Sequence, residues 1–206
     1  MKLKFIWTIL ALTLAGCAAD ITQERVTAIT GATLLDATQQ IGNATVVFSG
    51  DTITAVGTNV SIPTGATVID GAGKFLIPGL WDAHVHLSYY PDLSTDHSYP
   101  LFIANGITAV RDTAGLLDIV LPMREAARSP GAIAPRVYVA GPLVDGAQRV
   151  YAGLNGRPNI SVGINSPEEA RAQIDALHAA GVYLIKLYER NTHENFAAAA
   201  ARANEL

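Results

Sequence analysis

The sequence predicts an α/β protein, made of the first four βα units of a (β/α)8 TIM-type barrel preceded by a small β-sandwich-like domain. Three observations carry this. Before Ile77 the chain is a series of short β-branched runs broken by turn residues. After Pro78-Gly79, strand-like and helix-like stretches alternate, and no glycine-rich phosphate fingerprint opens the first of them. Alternation feeds a parallel sheet, and right-handed crossovers leave an open doubly wound sheet or a closed barrel. The missing fingerprint argues against a nucleotide-binding sheet and favours the barrel. The stretch from Gly79 to Leu206 is half of the ~250 residues of a complete barrel, so the chain reads as cut after its fourth unit.

The elements follow in order. Residues 25–77 form the β-domain, with runs at Val26–Ile29, Ala44–Phe48, Thr52–Val56 and Thr67–Asp70, and Gly50-Asp51 as a hairpin-type turn. Residues 78–206 hold the βα units. Their strands are expected at Gly79–Leu87, Ile107–Arg111, Arg136–Ala140 and Val182–Tyr188. Helices are expected up to about Asn105, over 117–128, from Ser166 towards Gly181, and from Thr192 through Ala197–Ala201. Ser166-Pro167-Glu168-Glu169 has an N-cap, a proline in the first turn and acids near the positive helix end. The segment 141–165 reads as a long glycine-rich connection, long enough for a binding loop.

The N-terminus has a separate logic. Lys2 and Lys4 precede an apolar run from Phe5 to Leu14 that is short for a bilayer span, followed by Leu14-Ala15-Gly16-Cys17. This resembles a bacterial lipoprotein signal over 1–16, with Cys17 lipidated and 17–24 a tether; the alternative is an ordinary secretory signal. The expectation is an exported protein anchored to a membrane through its lipid, facing the periplasm from the outer membrane if the source is Gram-negative. Cys17 is the only cysteine, so neither an intramolecular disulfide nor a cysteine zinc cluster can form. With a net charge of −4, 16% charged residues and no basic stripe, nucleic acid is excluded as the expected partner.

The chemistry concentrates in Pro78-Gly79-Leu80-Trp81-Asp82-Ala83-His84-Val85-His86. Strand alternation turns His84 and His86 to one side, and two neutral imidazoles at one depth make a half-site for a divalent transition metal. Asp82 shares their parity one layer deeper, where it would orient a ligand or fill the barrel floor. On spacing alone His-x-His recurs by chance, and two unremarkable strand histidines remain the alternative. Lys186 lies within an apolar strand, where burial of an ammonium is costly; the alternative is a lysine reaching to water from the strand end. Arg149, Tyr151 and Arg157 in the 141–165 connection are candidates for holding a substrate carboxylate, with surface arginines as the bland alternative. Tyr188 shares the parity of Lys186, and Asp112 ends the second strand as a supporting residue or loop cap. His178 and His193 fall in helical stretches and His97 in a polar one, where surface or packing roles are the default.

A β-domain, the junction Ile77–His86 and the βα units after it resemble the amidohydrolase superfamily. Gly106–Asp112 is similar to the second strand of its imidazolonepropionase-like and prolidase-like members. The resemblance implies metal ligation by His84 and His86, and by a carboxylated Lys186 formed with carbon dioxide. Two divalent ions, zinc being expected, would activate hydroxide to hydrolyse an amide, cyclic amide or dipeptide. It also implies two further histidines and a general acid/base aspartate on later strands, none of which this sequence contains. The 206-residue chain is therefore expected to bind metal weakly and to be inactive alone. A mononuclear deaminase or imidazolonepropionase-type hydrolase, and a lipid-anchored remnant serving as a binding module, are the alternatives.

Overall fold

The computed structural model describes residues 25–90 and 92–206. Cys17, the signal over 1–16 and the whole tether over 17–24 lie outside them. Among the described residues no helix is long and apolar enough to cross a membrane. The chain divides into two compact units between Pro78 and Gly79.

The first unit is one mixed sheet of five strands: β1 (Val26–Leu35), β2 (Gln40–Ser49), β3 (Thr52–Gly57), β4 (Thr67–Asp70) and β5 (Phe75–Leu76). The order is β3-β2-β1-β4, with β5 also paired to β1. Among the described residues all five strands join a single sheet around the long central β1, which is one layer of the sandwich-like, incomplete domain expected. Two local devices set the hairpins. Asp36 accepts hydrogen bonds from the backbone N–H (2.7 Å) and hydroxyl (2.8 Å) of Thr38 and from the side-chain amide (3.2 Å) and backbone N–H (2.9 Å) of Gln39, and these hold its carboxyl down at a pKa of about 2. Gly50, at φ +57°, turns β2 into β3. Ala28, Ala32, Ala44, Val46 and Val47 are buried, whereas β4 is exposed throughout.

The second unit opens with β6 (Leu80–Val85), α1 (Thr95–Ala104), β7 (Ile107–Asp112), α2 (Leu117–Ala127) and β8 (Arg136–Val139). The three strands form a parallel sheet in the order β6-β7-β8. Val110, Val137 and Val139 pack with Tyr99 of α1 and Val120 of α2. A buried β-branched surface covered by crossover helices is what parallel strands require.

Two expectations need correction here. The 141–165 connection is not structureless: it contains β9 (Leu143–Gly146) and β10 (Ser161–Ile164), paired in parallel. Conversely, Val182–Tyr188 is extended but is not a regular strand, and only Leu187 forms a bridge, to Val144. The cause lies in its partner. Gly141 adopts φ +73° and Pro142 has no N–H, so the ladder breaks between β8 and β9. Against β8 and β9 the segment is held at the two sides of the break. Tyr183 N–H donates to the Val139 carbonyl (2.8 Å), Val144 N–H to the Lys186 carbonyl (2.9 Å), and Tyr188 N–H to the Val144 carbonyl (2.9 Å).

The last two helices follow the cap chemistry. Ser166 accepts from Glu169 N–H (3.2 Å) at the start of α3 (Pro167–Ala179), and Thr192 from Asn195 N–H (3.2 Å) at the start of α4 (His193–Glu205). Ile174, Leu177, Ala198 and Ala199 pack these helices together with Val144 and Ile164.

Candidate metal centre

One cavity of about 200 Å3 is lined by His84, His86, Lys186, Tyr151 and Tyr188, with Leu143 and Ile160 as its apolar lining. Its members arrive from three places in the chain. His84 is on β6, and His86 is just beyond its end. Lys186 and Tyr188 share one side of the extended segment by two-residue alternation, and Val144 fixes their register from between. Tyr151 follows β9. The imidazoles of His84 and His86 meet edge to face, with centroids 5.1 Å apart.

The electrostatics favour the ligand form of His86. Burial pushes its pKa below the usual histidine value, the charges of His84 and Lys186 push in the same direction, and a backbone contact with Ala114 opposes them. A neutral imidazole is the metal-binding species. His86 Nδ1 is buried without a hydrogen-bond partner. Such an orphan calls for an explanation, and a cation held in the cavity is one. No group of three or more histidine, cysteine, aspartate or glutamate residues that could hold a metal occurs among the described residues. The donors here are thus two imidazoles and one amine. They fit half of a coordination shell, and the amine would have to become a carbamate to supply oxygen.

The other candidates separate. Asp82 is not brought into the cavity. β6 and β7 shift register between Asp82 and Val85, with three residues on β6 spanning two on β7, so simple alternation does not carry from Asp82 to His84. Its carboxylate instead accepts from the backbone N–H of His84 (3.2 Å). Asp112 ends β7 with 1% exposure, accepts from Ala114 N–H (3.1 Å) through Oδ1 and leaves Oδ2 unpartnered. Burial raises its pKa to about 7 against the backbone N–H groups of Ala114 and Leu87. The Arg149 guanidinium donates to Asn159 Oδ1 (3.0 Å) and to the Ser161 carbonyl (2.5 Å), bracing β10. Arg157 lies over the Tyr151 ring, 5.6 Å from its centroid. Burial, followed by the neighbouring Tyr151, raises the Tyr188 pKa. His97 contacts Ser94 Oγ (2.7 Å), while His178 and His193 sit in α3 and α4.

Sequence reasoning passed over Asp145 and Tyr89. Asp145, at the end of β9, is fully buried. It accepts from Gly146 N–H (2.9 Å) and Arg190 N–H (2.8 Å) through Oδ1, and from Val150 N–H (2.9 Å) through Oδ2. It thereby ties together the two loops that carry Tyr151 and Tyr188. Gly146 permits this closeness, since a Cβ there would lie 1.8 Å from the Arg190 carbonyl oxygen. The only signal for it was an acid before glycine in an apolar run. Tyr89 packs between His86 (6.1 Å) and Tyr151 (6.5 Å).

No protein-family model matches the chain. Its fold is similar to solved amidohydrolase-superfamily enzymes. A protein described as a prolidase from Bifidobacterium longum shares 26% identity at a TM-score of 0.71, over 88% of this chain and 47% of its own. A Xaa-Pro dipeptidase with methionine bound in its active site shares 21% at 0.71, over 87% and 54%. Molinate hydrolase shares 19% at 0.72, over 89% and 52%. The chain spans about half the length of the solved structures it matches. By name these neighbours are a prolidase, a dipeptidase and a hydrolase.

Proposed function

We propose that this chain supplies metal ligands to a (β/α)8 hydrolase that cleaves a carbon–nitrogen bond, in an amide, cyclic amide or dipeptide. The observation that carries the reading is the single cavity shared by His84, His86 and Lys186. The strand–helix rhythm and the similarity to a prolidase and a dipeptidase support it.

In this reading His84, His86 and a carboxylated Lys186 would hold two divalent ions, with zinc as the expected metal. Such ions would lower the pKa of water and polarise the scissile carbonyl. The chain's own residues do the rest. Burial favours the neutral form of His86, the Val144 backbone fixes Lys186, and Tyr151, Tyr188, Leu143 and Ile160 limit the water around the donors. The expected result for the 206-residue chain is weak zinc binding in calorimetry, reduced about tenfold or more by His84→Ala or His86→Ala. Bicarbonate should raise zinc content, and Lys186→Ala should remove that effect. If Lys186→Ala changes neither, a mononuclear site replaces the binuclear one. Zinc affinity indifferent to both histidine variants would end the metal reading.

The same proposal includes export and a lipid anchor on Cys17, supported by Lys2, Lys4, the apolar run to Leu14 and the small residues before the cysteine. Palmitate labelling in a bacterial host should mark the wild-type chain and not Cys17→Ser. Equal labelling of the two would rule the anchor out.

A further inference from the structure

A second cavity, of about 450 Å3, adjoins the one holding the histidines. The two share Ile160, and Tyr89, which lines the larger one, packs against Tyr151, which lines the smaller. The larger cavity is bounded by Ser88, Tyr89 and Tyr90 after β6, by Ile119 of α2, and by residues 156–160 including Arg157. The Ser88 hydroxyl there is buried without a hydrogen-bond partner. A pocket with an apolar aromatic wall, a spare hydroxyl and one cation is the usual make-up of a small-molecule subsite.

The segment that brings the cation is itself built. Ala152 and Asn159 form an antiparallel bridge, and Ile160 N–H donates to the Tyr151 carbonyl (3.3 Å). At the tip, Asn155 (φ +56°) and Gly156 (φ +73°) are consecutive left-handed residues, and Arg157 N–H closes onto the Leu154 carbonyl (3.1 Å). An Asn-Gly pair with both φ positive is the favoured chemistry of a two-residue hairpin turn. Arg157 is thus delivered by a small hairpin arm rather than by a loose loop.

The two arginines of this arm differ in what they have left to give. Arg149 is committed to Asn159 and the Ser161 carbonyl. Arg157 makes one long bond, 3.4 Å to the Val150 carbonyl, and no ion pair among the described residues. Its guanidinium over Tyr151 is oriented but not neutralised. A planar fork of donors in that state matches a carboxylate.

We propose that Arg157 is the specificity-determining residue of this neighbouring subsite. It pairs with a carboxylate on the substrate, while Tyr89 and Tyr90 receive the apolar group beside that carboxylate. The substrate class is then an amide bearing an acidic group and an apolar side chain on one side of the scissile bond. This rests on the hydrolase reading for the word substrate, but the subsite itself needs no metal. N-acetyl-L-phenylalanine and its uncharged carboxamide serve as probes, titrated calorimetrically into the metal-free 206-residue chain.

The acid should bind about tenfold or more tightly than the carboxamide. Arg157→Met should abolish that preference, and Arg157→Lys should restore part of it. The exposed position of Arg157, with no ion pair among the described residues, predicts little change in thermal unfolding in both variants. Zinc titration of Arg157→Met separates this proposal from the metal reading, because zinc affinity should not change. Carboxylate preference without zinc binding leaves the subsite standing and removes the hydrolase reading. Equal binding of the two probes to wild type, or a preference that survives Arg157→Met, overturns the proposal whatever the zinc result.

Discussion

Asp145→Ala is expected to destabilise the chain by about 3 to 5 kcal/mol, since each buried donor left unsatisfied costs ~1–3 kcal/mol. Three backbone N–H groups, of Gly146, Val150 and Arg190, converge on this one fully buried carboxylate. Alanine offers none of them an acceptor. The Gly146 contact is buried, while the other two are partly open to water, which keeps the total below the maximum of three such losses. The Arg190 bond joins positions 45 residues apart, so its loss frees the loop leading from Tyr188 to α4. Asp145→Asn keeps one acceptor oxygen and should fall between alanine and wild type. Urea unfolding measures both variants. An alanine variant within ~0.5 kcal/mol of wild type would mean that these bonds are readily replaced by water.

Asp112→Asn is the second large effect, and it depends on pH. The Asp112 carboxyl has its pKa raised from 3.8 to about 7 by burial, so the folded chain holds a proton there that the unfolded chain releases. Its contribution is complete below about pH 4, is lost as pH rises towards 7, and above 7 leaves a penalty of about 4 kcal/mol for an ionised buried group. Asparagine keeps the acceptor for Ala114 N–H and never ionises, but it places an amide group where Oδ2 has no partner. That group costs ~1–3 kcal/mol at every pH.

The stability of Asp112→Asn relative to wild type should therefore move in the variant's favour by about 3 kcal/mol between pH 5 and pH 8. The comparison needs the variant because His86 works in the opposite direction. Its lowered pKa makes the fold gain stability as pH rises through the ordinary histidine range. The carboxylates with lowered pKa, at Asp36, Glu125, Glu168 and Glu169, are exposed and titrate below this window. A stability difference between wild type and Asp112→Asn that is the same at pH 5 and pH 8 would show that Asp112 is ionised throughout.

The sequence by itself determined what neighbouring residues can decide. Ser166 and Thr192 reach N–H groups three residues on, so both helix starts could be read from the chain. Alternation on an extended segment was enough to put Lys186 and Tyr188 on one side, and His84 and His86 on another, before any fold was known. The tertiary structure decided everything that depends on a distant partner. Asp82 contacts the backbone of His84 across a register shift between β6 and β7, and a strand's own residues do not reveal a shift of that kind. Val182–Tyr188 has the composition of a strand, but Gly141-Pro142 in its neighbour leaves it without a continuous ladder. β9 and β10 looked like connection because each is short and carries a glycine, and each gains its identity from the other. Asp145 was invisible for the same reason: its donors lie one, five and 45 residues away, and only folding brings the last of them to it.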